Sequence, residues 1–281
     1  MSAIVTHAPR FTNEEAKDLS RRLYGIQGEY RQLPSERDQN FHIRTESGKE
    51  YVLKIANQNE KRETLDVQNK AMMHVHHHKE RFGPDMGVCP EIVQSRDGHI
   101  IEVAHSSDGR PHYVRLLTFL PGKPLGLVRP HDAALLKSLG RFLGHLDTVL
   151  LRFDHPAVHR EFHWDVQHAP TVIDDLIDFI PDDQRKQLVT GYLKRYRINT
   201  RPKLSQIRQS VIHNDGNDYN VLVVPASRWR NRVDSIIDYG DMVFSHTIND
   251  VAVACAYVMM GKKDPLGAAK HIVAEIGRAH V

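Results

Sequence analysis

The stretch that decides the fold is His213-Asn214-Asp215-Gly216-Asn217-Asp218-Tyr219-Asn220, which runs into the apolar segment Val221 to Val224. Past a polar turn, a second apolar segment, Val233 to Ile237, leads into Asp238-Tyr239-Gly240-Asp241. Two such runs joined by a turn read as an antiparallel hairpin, so the loop before the first strand and the loop after the second meet at one end of it. Asp215, Asn220 and Asp238 are thereby gathered together. A carboxylate to align an attacking hydroxyl, with an amide and a second carboxylate to supply hard oxygen ligands, is the set that phosphoryl transfer from a magnesium nucleotide requires. Asp, Asn and Gly are also ordinary turn residues, and a plain polar loop is the competing reading of 213–220. Asp238 downstream is what weighs against it.

Working outward, the chain is long enough, at 281 residues, to bury a sizeable core in one large domain or two lobes. Hydrophobic residues at 40% and charged residues at 26% exclude a disordered chain. The formal charge of +3 is mild and no Lys/Arg run is interleaved with aromatics, so composition gives no nucleic-acid partner. Cys89 and Cys255, the two cysteines, are too few for a disulfide framework and have no metal-ligand spacing. No apolar run approaches the ~20 residues that span a bilayer, and Met1 to Arg10 has no signal-like pattern. The expectation is a soluble, cytoplasmic protein without a membrane partner.

Upstream of the hairpin, Asn13 to Leu23 reads as an amphipathic helix capped by Asn13, and Leu33 to Asn40 as a polar loop. Phe41 to Thr45 and Tyr51 to Ala56 read as a strand hairpin, Arg62 to His77 as a helix. Glu91 to Gln94 and His99 to Val103 read as strands about an Asp97-Gly98 turn, with another strand over His112 to Phe119. Leu120-Pro121-Gly122-Lys123-Pro124 reads as a hinge. Beyond it, helices are expected at Asp132 to Leu150, Thr171 to Ile180 and Gln184 to Tyr196, with a buried helix at Val251 to Met260. The fold class that follows is α+β. A β-rich N-lobe (1–119), a hinge or linker (120–124) and a helical C-lobe (125–274) make a bilobal, protein-kinase-like arrangement.

Three segments carry a family resemblance: Leu33 to Phe41, Leu65 to Ala71 and His213 to Val223. With them the chain resembles the aminoglycoside phosphotransferase-like kinases, and within these the hydroxylysine kinase branch. That branch includes kinase modules fused to class III aminotransferase-like domains. The resemblance covers nearly the whole chain. It implies a small-molecule kinase that transfers the γ-phosphoryl group of ATP or GTP, with Mg²⁺, to the hydroxyl of a hydroxy-amine or hydroxy-amino acid such as hydroxylysine. Asp215 is the expected catalytic residue, Asn220 and Asp238 the expected metal ligands. Lys54, Ser35 and Gln68 are expected at the nucleotide: Lys54 reaches the phosphates, Ser35 and nearby amides cover them where protein kinases use a glycine-rich loop, and Gln68 faces Lys54 where a glutamate is usual. Homoserine, choline/ethanolamine and aminoglycoside kinases share this machinery, and a non-catalytic nucleotide-binding module is the reading from outside the enzymes.

Other residues stay open. Lys54 also fits an edge-strand lysine that discourages aggregation, and the turn at 34–40 fits a turn without a ligand. Trp164 and Asp165 fit either an amine-holding pair or a core anchor and a helix cap. His74, His76, His77 and His78 form a conspicuous cluster, but adjacent helical positions do not converge on one metal ion. His213 reads as a brace for the loop. Finally, Glu275-Ile276-Gly277-Arg278-Ala279-His280-Val281 is what a common sequencing adapter encodes in this frame, so 275–281 is expected to be a non-native tail. On that expectation the C-lobe is incomplete, and a fused C-terminal domain is a candidate for what is lost.

Overall fold

In the computed structural model, which describes residues 8–83 and 86–279, the chain divides into two units between Gly122 and Lys123. The first opens with α1 (Asn13–Tyr24). Its cap is Thr12 and not the expected Asn13. The Thr12 hydroxyl accepts from the Glu15 amide at 3.2 Å, and the Glu15 carboxylate accepts from the Thr12 amide at 2.7 Å. This reciprocal box needs a hydroxyl three residues before a glutamate, a spacing Asn13 does not have.

Six antiparallel strands follow: β1 (Glu29–Leu33), β2 (Gln39–Arg44), β3 (Glu50–Ile55), β4 (Ile92–Val93), β5 (Glu102–His105) and β6 (Pro111–Thr118). Their order is β1-β2-β3-β6, with β4 and β5 both paired to β6. Two expectations are corrected here. Residues 33–40 are not one loop, because β1 and β2 pair on either side of a short turn. β1 escaped notice because Glu-Tyr-Arg-Gln-Leu lacks a period-two apolar pattern; as an edge strand it is held mainly by its backbone. Nor do the segments flanking Asp97-Gly98 pair with each other, and the second strand starts at Glu102.

Alternation assigns the two faces of this sheet different tasks. Phe41, Ile43, Leu53, Ile55, Val114 and Leu116 lie on one face and form a buried core with Phe11, Ala16 and Leu19 from in and around α1. On the other face the register sets Asn40, Lys54 and Arg115 in a row across β2, β3 and β6. The helix α2 (Arg62–His77) lies on that second face, tied to Arg115.

The second unit contains β7 (Lys123–Pro124), α3 (Ala133–Leu150), α4 (Ala169–Leu176), α5 (Asp183–Arg195), β8 (Gln209–Ile212), β9 (Val221–Ser227), β10 (Arg230–Ile236), β11 (Val243–His246), α6 (Ile248–Met259) and α7 (Pro265–Ala279). Asp132 caps α3 by accepting from the Leu135 amide at 2.8 Å. The leucine stripe of α3 is buried against β8, β10 and α7. The β9–β10 hairpin forms as the sequence predicts, and β7 adds to its β9 edge. The helix expected to be buried, α6, is buried on one side only: Asn249, Asp250, Ala254 and Val258 are covered, while Ile248 and Tyr257 are exposed. The apolar run 251–260 hides that asymmetry, because Asn249 and Asp250 just before it are turned inward with Ala254 and Val258. Of the expected tail, 275–279 continue α7, and His280 and Val281 lie outside the described residues.

Gly140 lets α3 and α7 approach: a Cβ there would stand 2.2 Å from the Ile272 carbonyl oxygen. Gly191, in α5, faces open space. Gly140→Ala is therefore expected to destabilise the chain by about 1–3 kcal/mol through overpacking against backbone. Gly191→Ala is expected to stabilise it by roughly 0.5–1 kcal/mol through helix propensity. Denaturant unfolding of the two variants checks both signs.

Candidate active site

β8 carries the chain into the loop at 213–220, and the first two amides of that loop end on one carboxylate. Asp250 of α6 accepts from the His213 amide at 3.0 Å (Oδ2) and from the Asn214 amide at 2.6 Å (Oδ1). Asn214 takes a left-handed conformation (φ 65°), tolerable for asparagine, and turns the chain so that Asp215 follows. His213 is fully buried, packs edge-on against Tyr239 at 4.8 Å, and accepts at Nδ1 from the Asp215 amide at 3.3 Å. Burial holds its imidazole down at about 4, so it is neutral at ordinary pH and braces the loop.

Both carboxylate oxygens of Asp215 are held by amides of its own loop. Asn217 Nδ2 donates to Oδ1 at 2.7 Å, and Asn220 Nδ2 donates to Oδ2 at 2.7 Å and to the Asp215 carbonyl at 3.1 Å. Asn217 in turn accepts from the amides of Tyr219 and Asn220 at 2.8 and 2.9 Å. The Asn-Asp-Tyr-Asn sequence is thus an Asx-type turn that aims one amide at each oxygen. Burial pushes the Asp215 carboxyl up from its ordinary 3.8 to about 7, the carboxylates of Asp241 and Asp238 add to the rise, and the bonds from Asn217 and Asn220 oppose it. A divalent cation placed among these groups would act with the two amides and against the carboxylates.

The hairpin delivers Asp238 to the same end. Ile236 pairs with Val221, and the Ile237 amide donates to the Asn220 carbonyl at 3.0 Å, so the residues flanking the hairpin are locked together. Asp238 is left-handed (φ 63°) and accepts from the Gly240 amide at 3.3 Å. Asn220 and Asp238 offer amide and carboxylate oxygens, the hard donors that Mg²⁺ prefers, and a pair of them is enough for an ion that keeps waters and takes further oxygens from phosphates. The donor set fits that ion. Among the described residues no group of three His, Cys, Asp or Glu side chains could hold a metal, the histidines near the end of α2 included.

Arg160 and Asp250 of this site went unread in the sequence. Arg160 donates through Nη2 to the carbonyls of Gly240 at 2.8 Å and Met242 at 3.0 Å, and its guanidinium lies 4.3 Å over the Phe162 ring. It pins the loop that follows Asp238. Asp165 accepts from the Ser245 hydroxyl at 2.8 Å, the Gln167 amide at 3.0 Å and Asn249 Nδ2 at 3.4 Å. It is buried and caps a short turn, so of its two readings the structure supports the cap. Trp164 is 60% exposed and is not a core anchor. A lone aspartate inside an apolar helical run was the signal that would have found Asp250.

In the first unit, Ser35 is exposed in the turn between β1 and β2. The far side of that turn is anchored: Asp38 accepts from the Asn57 amide at 3.0 Å, and Asn57 Nδ2 donates to the Arg37 carbonyl at 3.2 Å. Lys54 stands in the middle of β3, opposite Asn40 and Arg115, so it is not on an edge strand. Gln68 is buried and gives its acceptor oxygen to Arg115 at 2.8 Å, which differs from the expected pairing with Lys54.

The profile of the phosphotransferase enzyme family matches residues 29–279. The chain belongs to that family. Among relatives, it is 29% identical over 276 residues to hydroxylysine kinase of Danio rerio, covering 95% of this chain and 75% of the relative. It is 28% identical over 284 residues to hydroxylysine kinase of Mus musculus, covering 95% and 74%. The fold is similar to an amicoumacin kinase solved with AMP-PNP, Ca²⁺ and amicoumacin (TM-score 0.69, 16% identity, 96% of this chain and 77% of that one). It is also similar to a microcompartment-associated aminopropanol kinase (TM-score 0.68, 18% identity, 94% and 80%). The α+β, kinase-like fold class follows from these likenesses, and no helix among the described residues is long and apolar enough to cross a membrane.

Behind the loop, Asp147 of α3 is hydrogen-bonded to Asp250, and both are almost wholly buried. Burial drives both carboxyls upward, Asp147 to about 7 from its ordinary 3.8. Asp147 adds to the rise at Asp250, the amides of His213 and Asn214 oppose it, and the two carboxyls share a proton. The folded chain therefore holds a proton that the unfolded chain releases near 3.8, so stability falls as pH rises from there toward about 7. Asp147→Asn retains a donor for Asp250 without a titrating group. It is expected to flatten that part of the stability–pH curve, as read by denaturant unfolding at a series of pH values.

Proposed function

We propose that the chain transfers the γ-phosphoryl group of ATP or GTP to the hydroxyl of a hydroxy-amine or hydroxy-amino acid, hydroxylysine being the first candidate. The observation that carries this is the Asp215 carboxylate, held at both oxygens by Asn217 and Asn220 and raised in basicity by its surroundings. Such a group accepts the proton of an alcohol and points its oxygen at the phosphorus, and alignment contributes most when the transition state is loose. Each oxygen keeps a lone pair for the acceptor. Asn220 and Asp238 would hold Mg²⁺, which would neutralise the charge of the transferred phosphoryl group when bound. Lys54 meets the phosphates, and the β1–β2 turn with Ser35 covers them through backbone amides. The acceptor class is supported by the hydroxylysine kinases among the relatives. The cytoplasm, where nucleotide is abundant, suits this activity.

The test is release of nucleoside diphosphate, measured with ATP and with GTP over a panel of hydroxylysine, homoserine, choline, ethanolamine and aminoglycosides. Turnover is expected with a hydroxy-amine acceptor. Asp215→Ala is expected to lower kcat by about 10²–10⁴-fold while leaving nucleotide affinity within a few-fold. Nucleotide binding with no turnover on any acceptor would favour a non-catalytic module, and undiminished turnover in Asp215→Ala would remove the assignment of that residue.

A further inference from the structure

Arg115 is among the largest fully buried side chains of the molecule, 2% exposed in the middle of β6. Its Nη2 donates to Gln68 Oε1 at 2.8 Å, and its Nη1 donates to Asn69 Oδ1 at 2.9 Å and to the Leu65 carbonyl at 3.4 Å. All three acceptors belong to α2, and Gln68 and Asn69 are successive buried residues on it. Arginine suits this task because its planar fork presents several donors in fixed directions and stays charged in any surroundings. Across the sheet, Arg115 is the register partner of Lys54, and directly opposed residues send their side chains from the same face. The bond network therefore ties α2 to the sheet one strand away from the lysine that the proposed function sets at the phosphates.

We propose that Arg115 is a positioning residue for nucleotide binding: its guanidinium, held by Gln68 and Asn69, fixes α2 over the Lys54 face of the sheet. The inference rests on the proposed kinase reading for the role of Lys54. The helix is thus tied to the sheet by a cation that cannot lose its charge, through acceptors that include the neutral amides of Gln68 and Asn69. Arg115 also adds a fixed positive charge beside Lys54, on the face where a polyanion would be received.

Two measurements on the full chain separate this role from a general loss of stability: amide hydrogen exchange over residues 65–72, and direct titration with Mg·ATP and Mg·GTP. Arg115→Lys keeps the charge and loses the fork. It is expected to speed exchange across 65–72 and to weaken nucleotide binding by about tenfold, the scale of one lost charge-assisted hydrogen bond. Adding Gln68→Glu to Arg115→Lys gives the ammonium a charged acceptor and is expected to restore both protection and affinity. If Arg115→Lys does not fold, Gln68→Ala removes one acceptor and carries the same two expectations. Wild-type exchange in Arg115→Lys, or faster exchange with wild-type nucleotide affinity, would overturn the proposal. A wild-type chain that binds neither nucleotide would count against the kinase reading, while the exchange measurements still decide whether Arg115 holds α2.

Discussion

The amides of His213 and Asn214 belong to residues buried in the interior of the second unit. A buried N–H without a partner is costly, so the loop can exist in this form only if something behind it accepts both. Asp250 does so, one oxygen to each amide, with the Asp147 carboxyl buried beside it. From that grip the chain turns at Asn214, in the left-handed region, into Asp215, whose carboxylate is held by amides of its own loop. The group that shapes the site thus lies behind the loop, on α6, rather than in it.

The same arrangement recurs wherever a functional segment leaves regular structure. Arg160 takes the carbonyls after Asp238, Asp165 joins β11 and α6 through Ser245 and Asn249, and Asp38 with Asn57 secures the turn after β1. In each case a polar side chain pairs backbone or amide groups that the local chain cannot pair for itself. Buried polar networks of this kind specify one conformation when every member is satisfied. They leave the loops to be defined by partners distant in sequence.

That distance explains what could be read from the sequence and what could not. Periodicity found α2, α3 and the β9–β10 hairpin, because each has a repeating apolar pattern of its own. The hairpin in turn gathered Asp215, Asn220 and Asp238 from spacing alone. Periodicity missed β1, whose pairing is carried by backbone, and placed the cap of α1 one residue late by weighing Asn13 above the Thr12/Glu15 spacing. It also read a buried helix from the apolar run Val251 to Met260, without the inward-facing Asn249 and Asp250 that open α6. Gln68 was expected at Lys54 because the chain position facing a strand lysine is easy to count. The competitor, Arg115, comes from a strand 47 residues away and left no local mark.

The two tethers on Asp215 have one more effect. A carboxylate with one free oxygen can swing about its last bond and meet a hydroxyl from either side. With Oδ1 bound to Asn217 and Oδ2 bound to Asn220, the plane of this carboxylate is set before any acceptor arrives. On the proposed kinase reading, an acceptor alcohol would bring its proton to that plane while its oxygen faces the phosphorus. A pair of asparagine amides would then limit the directions from which a hydroxyl can approach.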